Sequence, residues 1–169
     1  MECRLAAEED LPQIKRMYRA IIERMDADGI RIWDDVYPCE FFQGDIEHGR
    51  LYLLTEGDEM VAAFALSDSN PGESSVKWSD AQAKACYLDR LGVNVRFARR
   101  GVGSAALRRA QDLARKRGAR YLRLFVVDIN VPAINLYRKS GFSQADGVRV
   151  ERIDVDLVLQ ELGFEIATT

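Results

Sequence analysis

Two arginines and two glycines stand close together in the stretch Arg99-Arg100-Gly101-Val102-Gly103-Ser104, between a strand-like segment and an amphipathic one. Glycine lacks a Cβ, so it permits a sharp turn and a close approach of a ligand to the main chain. The first amides of a following helix have no intrahelical partner and lie at the positive end of its dipole, where they can donate to phosphate oxygens. The stretch therefore predicts an anion site. An ordinary loop with solvated arginines is the alternative.

A second group of polar residues follows about thirty positions later, in Asn130-Val131-Pro132-Ala133-Ile134-Asn135-Leu136-Tyr137. Asn130 and Tyr137 are seven positions apart, close to two helical turns, so both can face the same side of a helix. A βαβ unit would place this group beside the glycine turn. Taken singly, Asn130 is also a typical helix cap and Tyr137 a typical half-buried aromatic.

The elements that position these residues alternate between helix and strand. Apolar residues from Leu11 to Met25 recur at helical spacing and predict a first helix, which Gly29 ends. One mixed α/β domain over residues 1–169 is the prediction. Its other elements are a strand over 3–7, a short helix over 40–48, a hairpin of strands 51–54 and 60–66, a strand over 85–95, a helix from Val102 that Gly118 caps, a buried strand over 121–127, a helix opened by Pro132 and ended by Gly141, and a last strand or two over 148–159.

Composition excludes several classes of protein. The net charge of −3 argues against nucleic-acid binding, because duplex binders usually carry a basic surface. No apolar run reaches the roughly 18 residues of a membrane span, and the N-terminus lacks the form of a signal peptide. The three cysteines are widely spaced and His48 is the single histidine, so neither a zinc site nor a disulfide framework is expected. A cytoplasmic protein without metal is the resulting expectation.

The two polar groups together resemble the GNAT superfamily of acyl-CoA-dependent N-acetyltransferases. In that family a glycine-rich pyrophosphate loop is followed by a strand and a helix with the pattern Asn…Ala-Ile…Leu-Tyr…Gly-Phe. The resemblance implies a GNAT-like α/β domain with a mixed, largely antiparallel sheet flanked by helices. The first position of the family loop is usually Gln or Arg, whereas this chain has Ala98. The matching residues of the second pattern are Asn130, Ala133, Ile134, Leu136, Tyr137, Gly141 and Phe142.

The resemblance also implies acetyl-CoA as co-substrate and transfer of its acetyl group to an amine. Tyr137 would lie near the sulfur and act as general acid, because a tyrosine with a pKa of about 10 stays protonated at neutral pH. The expected cofactor contacts come from main-chain groups of the strand, from the glycine turn and from one asparagine side chain: Leu91, Gly92, Val93, Arg99, Arg100, Gly101, Val102, Gly103, Ser104 and Asn130.

The sequence leaves the identity of the general base open. Asp89 precedes Leu91 on the same predicted strand and is one candidate, acting directly or through water. A strand-end carboxylate paired to Arg90 or to solvent is the alternative interpretation of Asp89. Tyr87 and Glu40 remain open as bases.

The acceptor site is expected outside the cofactor core. Aromatic and acidic residues in one segment would attract an ammonium group, which predicts a small-molecule amine as substrate. Packing is the alternative role for the tryptophan. The resemblance also raises a homodimer as an expectation. The segment comprises Trp33, Asp34, Asp35 and Tyr37.

Two other functions fit parts of the sequence. Gly101-Val102-Gly103-Ser104-Ala105-Ala106 formally matches the dinucleotide-binding fingerprint of a Rossmann enzyme, and Asp128 follows at a suitable distance for a ribose-binding acid. That interpretation leaves Asn130 and Tyr137 without a role. The other alternative is a non-catalytic GNAT-fold module that binds acyl-CoA.

Overall fold

The computed structural model describes residues 1–169 and contains eight strands and four α-helices. In chain order these are β1 (Glu2–Leu5), α1 (Leu11–Ala27), α2 (Phe42–Glu47), β2 (Leu51–Glu56), β3 (Glu59–Ser67), β4 (Ala85–Val93), α3 (Val102–Lys116), β5 (Tyr121–Val127), α4 (Val131–Lys139), β6 (Ser143–Gln144), β7 (Arg149–Arg152) and β8 (Val158–Ala167). No helix has the length and apolar character that crossing a membrane requires.

The strands form one sheet in the order β1-β2-β3-β4-β5-β8-β6, and β7 also pairs with β8. Strands β4 and β5 are parallel and are joined through α3, as the predicted βαβ unit requires. The pairs β1–β2, β2–β3, β5–β8, β6–β8 and β7–β8 are antiparallel. The predicted fold class, a mixed and largely antiparallel sheet with helices, is confirmed. This sheet contradicts the Rossmann alternative, which needs a mostly parallel one.

The contacts divide the chain into two compact units. The first unit comprises Met1–Leu66 and Arg90–Arg109. Its core forms because the apolar stripe of α1 packs on residues of β2, β3 and α2, and Tyr18 and Phe42 are fully buried there. The helix and hairpin predicted for this part of the chain are therefore confirmed. The single domain over residues 1–169 stays a prediction.

The second unit comprises Ser67–Asp89 and Ala110–Thr169. Its central strand β5 has the predicted bounds, and the charged residue within the strand, Arg123, is buried. The guanidinium of Arg123 donates to Glu165 at 3.1 Å and lies over the ring of Trp78, so the buried charge is both paired and covered.

The C-terminal part of the chain differs from the prediction. A last strand or two was expected over 148–159. β7 lies within that range, whereas β8 begins only at Val158, runs to Ala167 and pairs with three other strands. Its charged residues Glu161 and Glu165 form ion pairs with arginines of neighbouring strands, and Gly163 lies against Trp78. These polar and small residues interrupt the apolar alternation by which a strand is predicted from sequence. Partners distant in sequence accommodate them in the sheet.

Candidate functional site

The glycine turn leads into a helix, as predicted. Arg99 and Gly101 have φ values of 61° and 76°, and α3 begins immediately afterwards at Val102. A Cβ built on Gly101 would meet no atom within 4 Å, so the main chain there borders open space. Arg99 and Arg100 are exposed. An anionic group therefore has access to the first amides of α3 and to two guanidinium groups, which is the arrangement that a pyrophosphate needs.

A strained residue in β4 precedes the strand segment that was predicted to contact the cofactor. Arg90 has φ of 55°, an uncommon value for a residue with a side chain. Its guanidinium makes two hydrogen bonds to Asp45, at 2.8 and 2.9 Å, and both side chains are largely buried. The Tyr18 hydroxyl donates to the Arg90 carbonyl. These contacts fix the backbone just before Leu91, and the sequence did not predict that Arg90, Asp45 and Tyr18 contact one another.

Gly92 occupies a position where β4 packs closely on α1. A Cβ at Gly92 would lie 2.7 Å from Cζ of Tyr18 and 2.9 Å from Cδ1 of Ile21. Its neighbours Leu91 and Val93 are half-buried. The absence of a side chain at Gly92 is therefore a packing requirement, and main-chain contact of this segment with a cofactor stays a prediction.

We expect Gly92→Ala to destabilise the protein by about 1–3 kcal/mol, because overpacking forces neighbouring side chains out of position. Urea unfolding followed by circular dichroism measures this as a lower midpoint. Gly44→Ala is the matched control, because a Cβ there would meet nothing within 4 Å. It should leave the midpoint unchanged or raise it. Equal midpoints for the Gly92 variant and the wild type would contradict the packing role.

The ladder between β4 and β5 ends before either strand does. The last paired residues are Leu88 and Leu124, whereas β4 continues to Val93 and β5 to Val127. Leu91 to Val93 thus lie beyond the ladder with β5. Extended main chain of this kind can pair with an extended ligand in the way that it would pair with an added strand.

Asn130 lies at the N-terminus of α4 and Tyr137 lies near its C-terminus, and both residues belong to the second unit. Asn130 is the N-cap of the helix, and its Oδ1 accepts from the amide of Ala133 at 3.4 Å. Tyr137 is 7% exposed, and its ring packs against those of Phe142 and Phe164. The structure thus shows Asn130 as a helix cap and Tyr137 as a packed aromatic, which are the alternative roles that the sequence allowed. A role of either residue towards a cofactor stays a prediction.

The electrostatic surroundings of Tyr137 keep it protonated. Burial raises the pKa of the Tyr137 hydroxyl well above its usual value, and the negative charge of Asp89 raises this pKa further. Asp89 is half-buried on β4 and lies within electrostatic reach of the hydroxyl. The charge of Asp89 thus acts on the Tyr137 hydroxyl, and the roles of these two residues as base and acid stay predictions.

The predicted acceptor segment lies in the first unit. Trp33 is half-buried, and its ring centroid lies 5.6 Å from that of Tyr18, so it contributes to packing. Asp34 accepts hydrogen bonds from the amides of Val36 and Tyr37, both at 2.8 Å, and thereby holds a turn. The ring of Tyr37 packs edge-on against Phe41.

Asp34 and the exposed Asp35 also line a cavity of about 660 Å³ between this segment and α1. Carboxylates outnumber cations in its lining, which makes it a suitable place for a cationic group. The charged residues that line it are Lys15, Arg19, Glu23, Asp26, Asp34, Asp35 and Glu40.

Comparison with known proteins matches residues 14–142 to a family model described as the acetyltransferase (GNAT) family. Streptothricin acetyltransferase of Streptomyces lavendulae is 48% identical over 101 residues, which are 60% of this chain and 48% of that protein. A candidate phosphinothricin acetyltransferase of Bacillus subtilis is 28% identical over 148 residues, 85% of each chain. This chain thus spans about half the length of the first relative and most of the second.

The fold is also similar to that of solved structures. A candidate acetyltransferase from Salmonella typhimurium, solved with its cofactor acetyl-CoA, superposes with a TM-score of 0.66 at 16% identity. The superposition covers 99% of this chain and 94% of that one. At this identity the likeness concerns the fold alone.

Proposed function

The chain belongs to the acetyltransferase (GNAT) family, whose acetyl donor is acetyl-CoA, and we propose that it transfers this acetyl group to the amine of a small molecule. The observation that carries the proposal is the turn at Gly101, where open space borders the first amides of α3 and two exposed arginines. The names of two relatives, after streptothricin and phosphinothricin, support a small-molecule acceptor.

Transfer from a thioester to an amine needs a held donor, a neutral amine, stabilisation of the oxyanion and a proton for the departing thiolate. In our proposal the amides of Arg100 to Ser104 bind the pyrophosphate, and Asn130 contacts the pantetheine arm. A main-chain amide at Gly92 or Val93 polarises the thioester carbonyl. Tyr137 supplies the proton, and its raised pKa keeps the hydroxyl protonated at neutral pH. Because the raised pKa also makes this hydroxyl a weaker acid than a thiol, Tyr137 must regain a proton from the attacking nitrogen as it gives one to the sulfur.

Asp89 is the base in this proposal, one of the candidates that the sequence offers beside Tyr87 and Glu40. An amine of high pKa arrives protonated and must lose a proton before it attacks the thioester. The electrostatic effect of Asp89 on Tyr137 supports its inclusion in the same group of residues. A carboxylate at this position would also attract the ammonium group and so favour its binding.

The experiment that tests the function is a screen of amines for thiol release from acetyl-CoA, with streptothricin and phosphinothricin as the first acceptors. Thiol release that requires both an amine and the protein supports acetyl transfer. Binding of acetyl-CoA by calorimetry without release from any amine would favour the non-catalytic acyl-CoA-binding module instead. Light scattering on the same preparation tests the homodimer.

Asp34 and Asp35 are proposed to bind the ammonium group of the acceptor in the cavity that they line. We expect Asp34→Asn and Asp35→Asn to raise KM for the amine several-fold, because each removes a charge-assisted hydrogen bond. KM for acetyl-CoA should change less. Asparagine keeps the Oδ1 acceptor that Asp34 offers to the turn, so the loop geometry is preserved.

Lys15→Met serves as the control for this prediction, because it removes a cation from the same cavity. It should lower KM for a cationic amine or leave it unchanged. Wild-type KM values for the amine in both aspartate variants would place the acceptor site elsewhere.

A further inference from the structure

Arg90 precedes the segment Leu91 to Val93 and has a backbone conformation that a residue with a side chain rarely adopts. Its φ of 55° lies in the left-handed region, which glycine adopts at little cost. This chain has arginine there rather than glycine, so the conformation requires support from other parts of the structure. That support comes from residues of the first unit.

The Arg90 side chain is fixed by an ion pair and by an aromatic ring. Its guanidinium donates to both carboxylate oxygens of Asp45, at 2.8 and 2.9 Å, and the two side chains are only 10% and 4% exposed. Cζ of Arg90 lies 5.1 Å from the centroid of the Phe41 ring, which is a cation–π distance. Two parallel charge-assisted hydrogen bonds hold a guanidinium in one orientation. Asp45 therefore ties Arg90 of β4 to α2.

The Arg90 main chain is fixed from α1. The buried hydroxyl of Tyr18 donates to the Arg90 carbonyl and lies 3.1 Å from the carbonyl oxygen of Ala63 on β3. The ring of Tyr18 also lies against Gly92, where a Cβ would be 2.7 Å from Cζ of the ring. Tyr18 thus contacts the main chain immediately before and immediately after Leu91.

The other end of the segment is fixed to β3. The amide of Asn94 donates to the Val61 carbonyl and its Nδ2 donates to the Met60 carbonyl, both at 2.8 Å. Leu91 to Val93 are therefore held at both ends, while they lie beyond the ladder with β5. A main chain that is held in place before a ligand arrives binds it without the entropy cost of becoming ordered.

The residues that fix Arg90 also contact the candidate acceptor segment. The ring centroid of Trp33 lies 5.6 Å from that of Tyr18, and the ring of Tyr37 packs edge-on against Phe41 at 5.3 Å. Tyr18 and Phe41 in turn contact Arg90. One group of residues is thus in contact with the strand proposed for the acetyl donor and with the segment proposed for the acceptor.

We propose that Tyr18, Asp45 and Arg90 are positioning residues for acetyl-CoA, because they hold the main chain of Leu91 to Val93 in the conformation that binds the pantetheine arm. This inference rests on the contact between this segment and the cofactor that is proposed above. None of the three side chains takes part in the chemistry, and each acts through the main chain that it supports.

The test compares Tyr18→Phe with the wild type in the binding of two ligands, measured by calorimetry. Phenylalanine keeps the ring contacts with Trp33 and Phe42 and removes only the hydroxyl. Acetyl-CoA has both a pyrophosphate and a pantetheine arm, whereas ADP has the pyrophosphate without the arm. We expect Kd for acetyl-CoA to rise about tenfold, the effect of one lost hydrogen bond, and Kd for ADP to stay the same. In thiol release, KM for acetyl-CoA should rise while KM for the amine stays the same.

Ile14→Val is the matched control, because it removes one methyl group from the core that contains Tyr18 but no hydrogen bond. It should lower the urea midpoint and leave both Kd values unchanged. The inference is overturned if the control loses as much affinity for acetyl-CoA as Tyr18→Phe does, or if Tyr18→Phe loses ADP binding in parallel, since either result indicates general destabilisation. An unchanged Kd for acetyl-CoA in Tyr18→Phe overturns it as well.

If Tyr18→Phe does not fold, Arg90→Lys decides. Lysine keeps a buried positive charge opposite Asp45, but its ammonium does not reproduce the two parallel hydrogen bonds of the guanidinium. Kd for acetyl-CoA should again rise while Kd for ADP stays the same, and an unchanged Kd for acetyl-CoA would overturn the inference. If the wild type binds no acetyl-CoA, the proposed function fails together with the inference. If the wild type transfers acetyl groups and the variants keep its Kd, only the inference fails.

Discussion

Replacing Tyr137 by phenylalanine should lower kcat by roughly 10²- to 10⁴-fold, the usual span for loss of a general acid. The ring packs against Phe142 and Phe164, and phenylalanine keeps those contacts. The Kd for acetyl-CoA should therefore change little, so the loss concerns an interaction made only in the transition state. Steady-state thiol release and calorimetry on the same variant measure the two quantities.

Tyr121→Phe provides the control for loss of a tyrosine hydroxyl in the same unit, because Tyr121 is half-buried on β5 but has no proposed role. It should retain wild-type turnover.

Because burial and Asp89 raise the pKa of Tyr137, no alkaline limb from its ionisation is expected at or below the usual tyrosine pKa of about 10. Wild-type turnover in Tyr137→Phe would mean that water or another group protonates the thiolate.

Local sequence signals predicted most of the fold. The apolar stripe from Leu11 to Met25, the strand Tyr121–Val127 and the helix after Gly101 were all predicted with bounds close to those observed. Each of these elements has its period and its ends within a short window of sequence. The family resemblance added the sheet type, which periodicity alone does not specify.

The features that escaped prediction depend on partners distant in sequence. Arg90 adopts its positive φ while bound to Asp45 and Tyr18, which are 45 and 72 positions away. Glu161 and Glu165 lie in β8, where each has an ion-pair partner on a neighbouring strand. No local pattern marks such pairs. The sequence offered the carboxylate beside the recognised motif, Asp89, as one candidate base, and this assignment stays a prediction.

The candidate acceptor segment illustrates the same limit. Aromatic and acidic residues from Trp33 to Tyr37 have the composition of a cation site, yet Trp33 packs on Tyr18 and Asp34 holds a turn. Composition alone did not distinguish these structural roles from the role of an exposed carboxylate such as that of Asp35. The cavity beside the segment is the reason to retain it as a candidate, because the cavity combines space with excess negative charge.

Gly101→Glu should abolish binding of acetyl-CoA, with Kd raised on the order of 100-fold or more. The open space next to Gly101 would be filled by a carboxylate, which places like charge against the pyrophosphate at a cost of several kcal/mol. The positive φ of Gly101 adds backbone strain with any side chain.

Gly101→Ala separates the effect of charge from the effect of strain, because it introduces similar strain without the charge. Calorimetry should show that the alanine variant still binds within about tenfold of the wild type. Undiminished affinity in Gly101→Glu, with its circular dichroism unchanged, would remove the pyrophosphate site from this turn.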